Sequence, residues 1–136
     1  MRVVGIGTDA AEIDRVVKLY ERFPESFLNR VFTTQEQAYC LARKRNFGES
    51  LAARWAAKEA TLKALGTGWS SDVDWKDVEV VSLPSGAPTL NVSGGAKKRA
   101  DELGIVDWKL SLTHSRTLAI AFVVASGLDS SQERRL

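Results

Sequence analysis

LAARWAAKEATLKALGTG, residues 51–68, is a run of helix formers that stops at a Gly-Thr-Gly exit. Stepping about 100° per residue puts Leu51, Trp55, Leu62 and Leu65 on one apolar face, with Lys58 in the middle of it. A lysine there either snorkels to the rim or, being next to Glu59, reaches a buried anion. Glu59 and Lys63 are four apart and project on nearly the same side, about one turn from each other, while Ala52 and Ala56 leave room along that strip. A carboxylate and an ammonium so placed suit a metal ion and a polyphosphate in one site. A second carboxylate, Asp9, closes Gly5-Ile6-Gly7-Thr8-Asp9 at the end of a predicted first strand. Mg2+ takes few protein carboxylates and completes its shell with water and phosphate oxygens, so Asp9 and Glu59 suffice as ligands. The plain alternative is a core helix with a solvated charged strip, and spacing alone does not choose between the two.

Outward from this helix the pattern alternates helix and strand. Residues 2–7 read as a short apolar strand, and 11–21 as a helix with Ile13, Val16, Val17 and Tyr20 at inward spacing. A break at Pro24 precedes a short helical piece over 26–30. Thr33-Thr34-Gln35-Glu36 has the spacing of a capping box and starts a helix reaching about Lys44. Residues 43–48 are a polar loop, after which Glu49 or Ser50 opens the central helix. Strands are expected at 78–82 and 89–92 around Pro84-Ser85-Gly86-Ala87-Pro88. Ser93 caps a helix to about Leu103, closed by Gly104. Residues 108–114 and 117–125 form a hairpin around Ser115-Arg116, whose parity groups His114 with inward-pointing Trp108, Leu110 and Leu112. The polar tail after Ser126 is expected to be disordered, which leaves residues 1–126 as one domain.

Composition fits a soluble globular chain: 136 residues, 44% hydrophobic and 26% charged, enough for one core but not two. A formal charge of +2 is too small to demand a nucleic-acid partner, so electrostatic recognition falls to local patches. The single cysteine, Cys40, excludes an internal disulfide framework and suits a reducing cytoplasm. Flanked by Ala38, Tyr39 and Leu41, it reads as helix packing rather than a nucleophile. No secretory leader is expected, and the longest apolar run, 118–125, is strand length and cannot span a bilayer.

Four stretches, residues 5–15 (GIGTDAAEIDR), 30–33 (RVFT), 51–68 and 110–114 (LSLTH), resemble the small, single-unit holo-acyl-carrier-protein synthases of bacteria, members of the 4′-phosphopantetheinyl transferase family. The resemblance runs in order from Met1 to about Ser126. It implies an α+β fold with an antiparallel sheet packed against the long central helix, assembled as homotrimers with active sites at subunit interfaces. It also implies an enzyme that moves the phosphopantetheine arm of coenzyme A to a serine of apo-acyl carrier protein. That reaction needs Mg2+, releases 3′,5′-ADP and serves fatty-acid or related biosynthesis.

Carried onto this chain, the resemblance makes Asp9 and Glu59 the metal ligands and Lys63 a catalytic cation on the phosphoryl oxygens. Glu12 matches a second acid that braces the helix or Arg15. His114 falls at the coenzyme A phosphates, and Ser115 follows it at a position that the family fills with acidic or hydroxyl residues. Arg54 matches directly as a ligand of the nucleotide's 3′-phosphate and adenine side. Arg43, Lys44 and Arg45 precede it without spacing to choose among them, and Arg45 is taken. Lys58 is placed at the same nucleotide, and an apolar-face lysine could also mark a subunit contact. Gly66-Thr67-Gly68 would bring backbone close to the nucleotide, though a simple glycine C-cap explains it as well. Pro88, in the Gly-x-Pro turn, would wall the adenine.

Arg15, Lys18 and Arg22, spaced i, i+3, i+7 with Leu19 beside them, form a basic stripe. The bland reading is a solvated face; the resemblance makes it the grip on an acidic carrier, with Arg15 matched by motif and the others by position. Lys97-Lys98-Arg99 has no motif support and reads as a solvated helix face. Two other classes remain on residue grounds. A non-catalytic coenzyme A or nucleotide-binding module would not need both Asp9 and Glu59, and a metal-dependent phosphohydrolase would not need the stripe. Neither a nucleic acid nor a membrane is expected as a partner.

Overall fold

The computed structural model describes residues 1–68 and 72–129, and the expectation of a disordered tail falls almost wholly on 130–136, outside them. Strand β1 (Arg2–Glu12) leads into helices α1 (Ile13–Arg22), α2 (Pro24–Val31) and α3 (Thr34–Ala42). A 3₁₀ turn at Lys44–Asn46 precedes the central helix α4 (Phe47–Leu65), and another at Trp75–Asp77 precedes β2 (Val78–Ser82) and β3 (Pro88–Val92). Helix α5 (Gly94–Glu102), then β4 (Ile105–His114) and β5 (Leu118–Gly127), complete the order. The fold is α+β. The main sheet is antiparallel in the order β1-β5-β4, and β2-β3 is a separate antiparallel ladder.

Helix α4 lies on β1 and β5, with α1, α3 and β2 around its other sides, so Leu51, Ala56, Ala57, Ala60, Thr61, Leu62 and Leu65 are all buried. Small residues let it approach. A Cβ on Gly7 would stand 1.8 Å from the Ala60 carbonyl oxygen, and one on Gly5 2.2 Å from that of Ala64. Beneath the helix, β5 presents fully buried Ala119, Ala121, Val123 and Ala125. The sheet's other face carries Ile6, Phe122 and Ile120 in the open. No helix among the described residues is long and apolar enough to cross a membrane.

The sequence boundaries shift where tertiary pairing overrides local preference. The predicted helix start at Ala11 is instead strand, because Ala10, Ala11 and Glu12 pair with Ile120, Ala119 and Leu118. Helix α4 begins at Phe47, whose ring meets Tyr20 edge-on at 4.9 Å. Pro24 opens α2 as its first residue, a position where the missing N–H costs nothing. The capping box at Thr33 and Glu36 forms as read.

Candidate active site

Strand alternation turns Gly7, Asp9 and Ala11 toward α4. Because Gly7 lets the helix backbone settle on the strand, Asp9 arrives beside the strip of Glu59 and Lys63. Lys63 Nζ donates to Asp9 Oδ1 at 3.2 Å and to the Thr8 carbonyl at 2.9 Å. Asp9 and Glu59, 54 and 50 positions from Lys63 and Asp9 respectively in no local register, thus line one cavity of about 380 Å³ with Glu12, Arg15, Leu19 and Trp55. Two carboxylates on facing elements at a solvent-open cavity are the hard oxygen donors that Mg2+ takes with few protein ligands. No group of three or more His, Cys, Asp or Glu side chains that could hold a metal exists among the described residues.

Leu19 and Trp55 also line a second, apolar groove of about 300 Å³ with Phe23, Phe27, Val31 and Trp75. Trp55 stacks tilted between Phe27 at 5.7 Å and Trp75 at 4.7 Å. Sequence reasoning missed this groove: Trp75 is brought in from a distant loop, and Phe23 and Phe27 look like ordinary core spacing. On α1, Arg15 stands at the carboxylate cavity and Leu19 between cavity and groove. Lys18 pairs with Asp14 at 3.3 Å on the exposed surface, and the Arg22 guanidinium lies 5.2 Å over the Phe23 ring.

Of the two readings of Lys58, the snorkelling one is corrected and the buried-anion one holds: the side chain is fully buried, and the anion it reaches is Glu36. Its ammonium donates to Glu36 Oε1 at 2.8 Å, the Trp75 carbonyl at 3.1 Å and the Val78 carbonyl at 2.5 Å, which uses all three donors. Glu36 in turn accepts from the Thr33 and Val80 amides. Burial holds the Lys58 ammonium below the usual lysine value, with Glu36 pulling the other way. This lysine ties α4 to α3 and β2, with its three donors on groups of its own chain. The capping-box pattern had marked Glu36, but not the partner 22 residues on.

Arg54, Arg45, Pro88, His114 and Ser115 do not line the Asp9–Glu59 cavity. Arg54 sits about 140° around α4 from Glu59, almost wholly buried, with its guanidinium carbon 3.9 Å over the Tyr39 ring. Arg45 lies in the exposed 3₁₀ turn after Lys44, itself held at φ 53°. His114 keeps the predicted parity, sharing a row with Ala119 and Ala11, but it stands at the exposed strand end about 10 Å across the sheet from β1. Ser115 Oγ accepts from the Thr117 and Leu118 amides and so shapes the hairpin turn. Pro88 opens β3 opposite Ser82. Gly66 is the left-handed C-cap of α4, φ 71°, bonded to the Leu62 and Lys63 carbonyls. Thr67 faces a polar cavity of about 320 Å³ with Lys98 and Arg99. Arg99 also donates to the Leu65 carbonyl at 3.4 Å, so this cluster is more than a solvated face. Cys40 is a free, buried thiol, pushed up in pKa by burial against the opposing Ser50 hydrogen bond and the Arg54 and Arg43 charges.

The chain is similar to known proteins over nearly its whole described length. A family model described as the 4′-phosphopantetheinyl transferase superfamily matches residues 5–123. The holo-[acyl-carrier-protein] synthase of Gloeobacter violaceus is 48% identical over 122 residues, covering 90% of this chain and 92% of that protein. The crystal structure of the holo-[acyl-carrier-protein] synthase of Neisseria meningitidis superposes with a TM-score of 0.82 at 31% identity, over 91% of this chain and 98% of the other. That of Helicobacter pylori, solved in complex with coenzyme A, gives 0.78 at 32% identity, over 89% and 99%.

Proposed function

The chain belongs to the 4′-phosphopantetheinyl transferase superfamily, and on that premise we propose that it transfers the 4′-phosphopantetheine arm of coenzyme A to a serine of an apo-acyl carrier protein. Release of 3′,5′-ADP, dependence on Mg2+ and service to fatty-acid biosynthesis in the cytoplasm belong to the same proposal, with residues 1–126 as the transferring domain. The observation that carries it is the meeting of Asp9 and Glu59 at one open cavity, with Lys63 paired to Asp9 beside it.

Asp9 and Glu59 would hold the ion, and the rest of its shell falls to water and pyrophosphate oxygens. When bound, Mg2+ would neutralise charge on the phosphoryl oxygens and the departing nucleotide. Lys63 spends two of its three donors on Thr8 and Asp9 and has the third for a phosphoryl oxygen. The carrier's serine oxygen attacks the β-phosphorus while the bond to the 3′,5′-ADP oxygen breaks, and the hydroxyl proton passes to water. Positioning and charge supply most of the rate in such transfers. Arg15 at the cavity and Leu19 beside the aromatic groove suit an acidic carrier with apolar side chains, with Lys18 and Arg22 adding charge.

The nucleotide side calls on Arg45, Arg54, Gly66, Thr67, Gly68, Pro88, His114 and Ser115. Their separation from the carboxylate cavity within one chain supports a homotrimer in which neighbouring copies complete each site. The outer sheet face favours the same reading, with Ile6 60% and Phe122 46% exposed, an uncovered apolar surface of the kind that marks an interface. Light scattering at working concentration should return a trimer mass, and a monomer would count against it.

Chromatography of 3′,5′-ADP tests the reaction. Release should need Mg2+ and apo-carrier together and match the carrier consumed. Release without carrier would mean a phosphohydrolase, and tight coenzyme A binding with no release would mean a binding module.

A further inference from the structure

Arg54 is 5% exposed, yet its Nε is a buried side-chain atom with no hydrogen-bond partner among the described residues. Its hydrogen bond to Ser50 Oγ is long, 3.4 Å. The acid beside this region, Glu36, is already taken by Lys58 and the Thr33 and Val80 amides. A buried guanidinium without a counter-ion is costly. What faces it is the Tyr39 ring, with the guanidinium carbon 3.9 Å from the centroid. The same ring also takes Arg43, at 5.7 Å. Tyr39 is itself 38% exposed. A π face attracts a cation without consuming its N–H groups, so the donors not used by Ser50 stay available to an anion.

We propose that Tyr39 is a positioning residue: its ring holds the guanidinium of Arg54, with Nε unspent, for the 3′-phosphate of coenzyme A. This rests on the assignment of Arg54 to the nucleotide and adds the residue that keeps it ready. The ring replaces the carboxylate that usually accompanies a buried arginine. A carboxylate there would compete with the phosphate for the same bidentate fork.

The test is calorimetric binding of coenzyme A and 3′-dephospho-coenzyme A to the full chain, which needs no turnover. Wild type should prefer coenzyme A. Tyr39→Leu should weaken coenzyme A binding about tenfold and leave the dephospho form unchanged, with the melting temperature little altered. Tyr39→Phe should keep the preference, because the ring face does the holding. Equal losses for both ligands, or none, in Tyr39→Leu overturns the proposal. If Arg54→Gln keeps the preference, the assignment of Arg54 fails and the proposal falls with it. If Arg54→Gln loses the preference and Tyr39→Leu keeps it, the assignment stands and only the role of Tyr39 is overturned.

Discussion

Lys58 and Lys63 stand five residues apart on one helix, and the structure treats them in opposite ways. Lys58 is fully buried, with its three donors on Glu36, Trp75 and Val78. Lys63 keeps over half of its side chain exposed and touches Asp9 at the mouth of a cavity. The first is a cation enclosed by the fold; the second is one held at the surface beside a carboxylate. A resemblance that covers both within one motif cannot separate these roles. Burial and spent donors do.

The comparison breaks most severely through Lys58. Lys58→Met leaves the Glu36 carboxylate buried without its cation, which should cost about 3–5 kcal/mol of stability in urea unfolding. Replacing both partners, Glu36→Leu with Lys58→Met, should recover much of that loss. A Lys58→Met protein as stable as wild type would show that the clamp does not support the fold. Changes at the open site should act the other way. Asp9→Asn, Glu59→Gln and Lys63→Ala should each lower transfer about 10²–10³-fold. Their stability should stay within about 0.5 kcal/mol of wild type, as for exposed pairs. A variant of these three with near-full transfer would remove its residue from the mechanism.

This contrast also marks how much of the molecule could be read from sequence. The central helix and the Thr33–Glu36 capping box were legible because both are local patterns. The pairing of Asp9 with Lys63 needed more than spacing. It depends on Gly5 and Gly7, where any Cβ would strike the backbone of α4; the carboxylate chemistry of Asp9 and Glu59 suggested a shared site, and the family resemblance pointed there too. For Lys58 the snorkelling reading fails because it describes a lysine on a helix with one covered side, whereas α3 and β2 close over this one; the buried-anion reading holds, with Glu36 as the anion. Trp75, whose ring completes the aromatic groove, comes from beyond residues 69–71 and leaves no periodic trace. The start of α1 moved for a related reason: ladder bonds to β5 outweigh the helical preference of Ala10, Ala11 and Glu12.

A smaller effect sharpens the same comparison through pH. Because burial lowers the pKa of Lys58, the folded chain gives up that proton before the unfolded chain does. The unfolded state then binds more protons, so this group makes stability rise with pH from its lowered value up to about 10.4. Urea unfolding across that window should show the extra rise in wild type and its absence in Lys58→Met; matching slopes would contradict the assignment. The least effect is expected at Cys40, whose raised pKa and burial keep it a thiol rather than a nucleophile. A thiol reagent should label it slowly in the native protein and quickly in urea, with rapid native labelling counting against its place in the core.

The most direct measurement is the intact mass of an apo-acyl carrier protein after incubation with this protein, coenzyme A and Mg2+. The account predicts a gain of one phosphopantetheine arm, lost with EDTA and with Glu59→Gln but kept, at a reduced amount of folded enzyme, with Lys58→Met. An unchanged carrier mass across several carriers, with coenzyme A still bound, would contradict it.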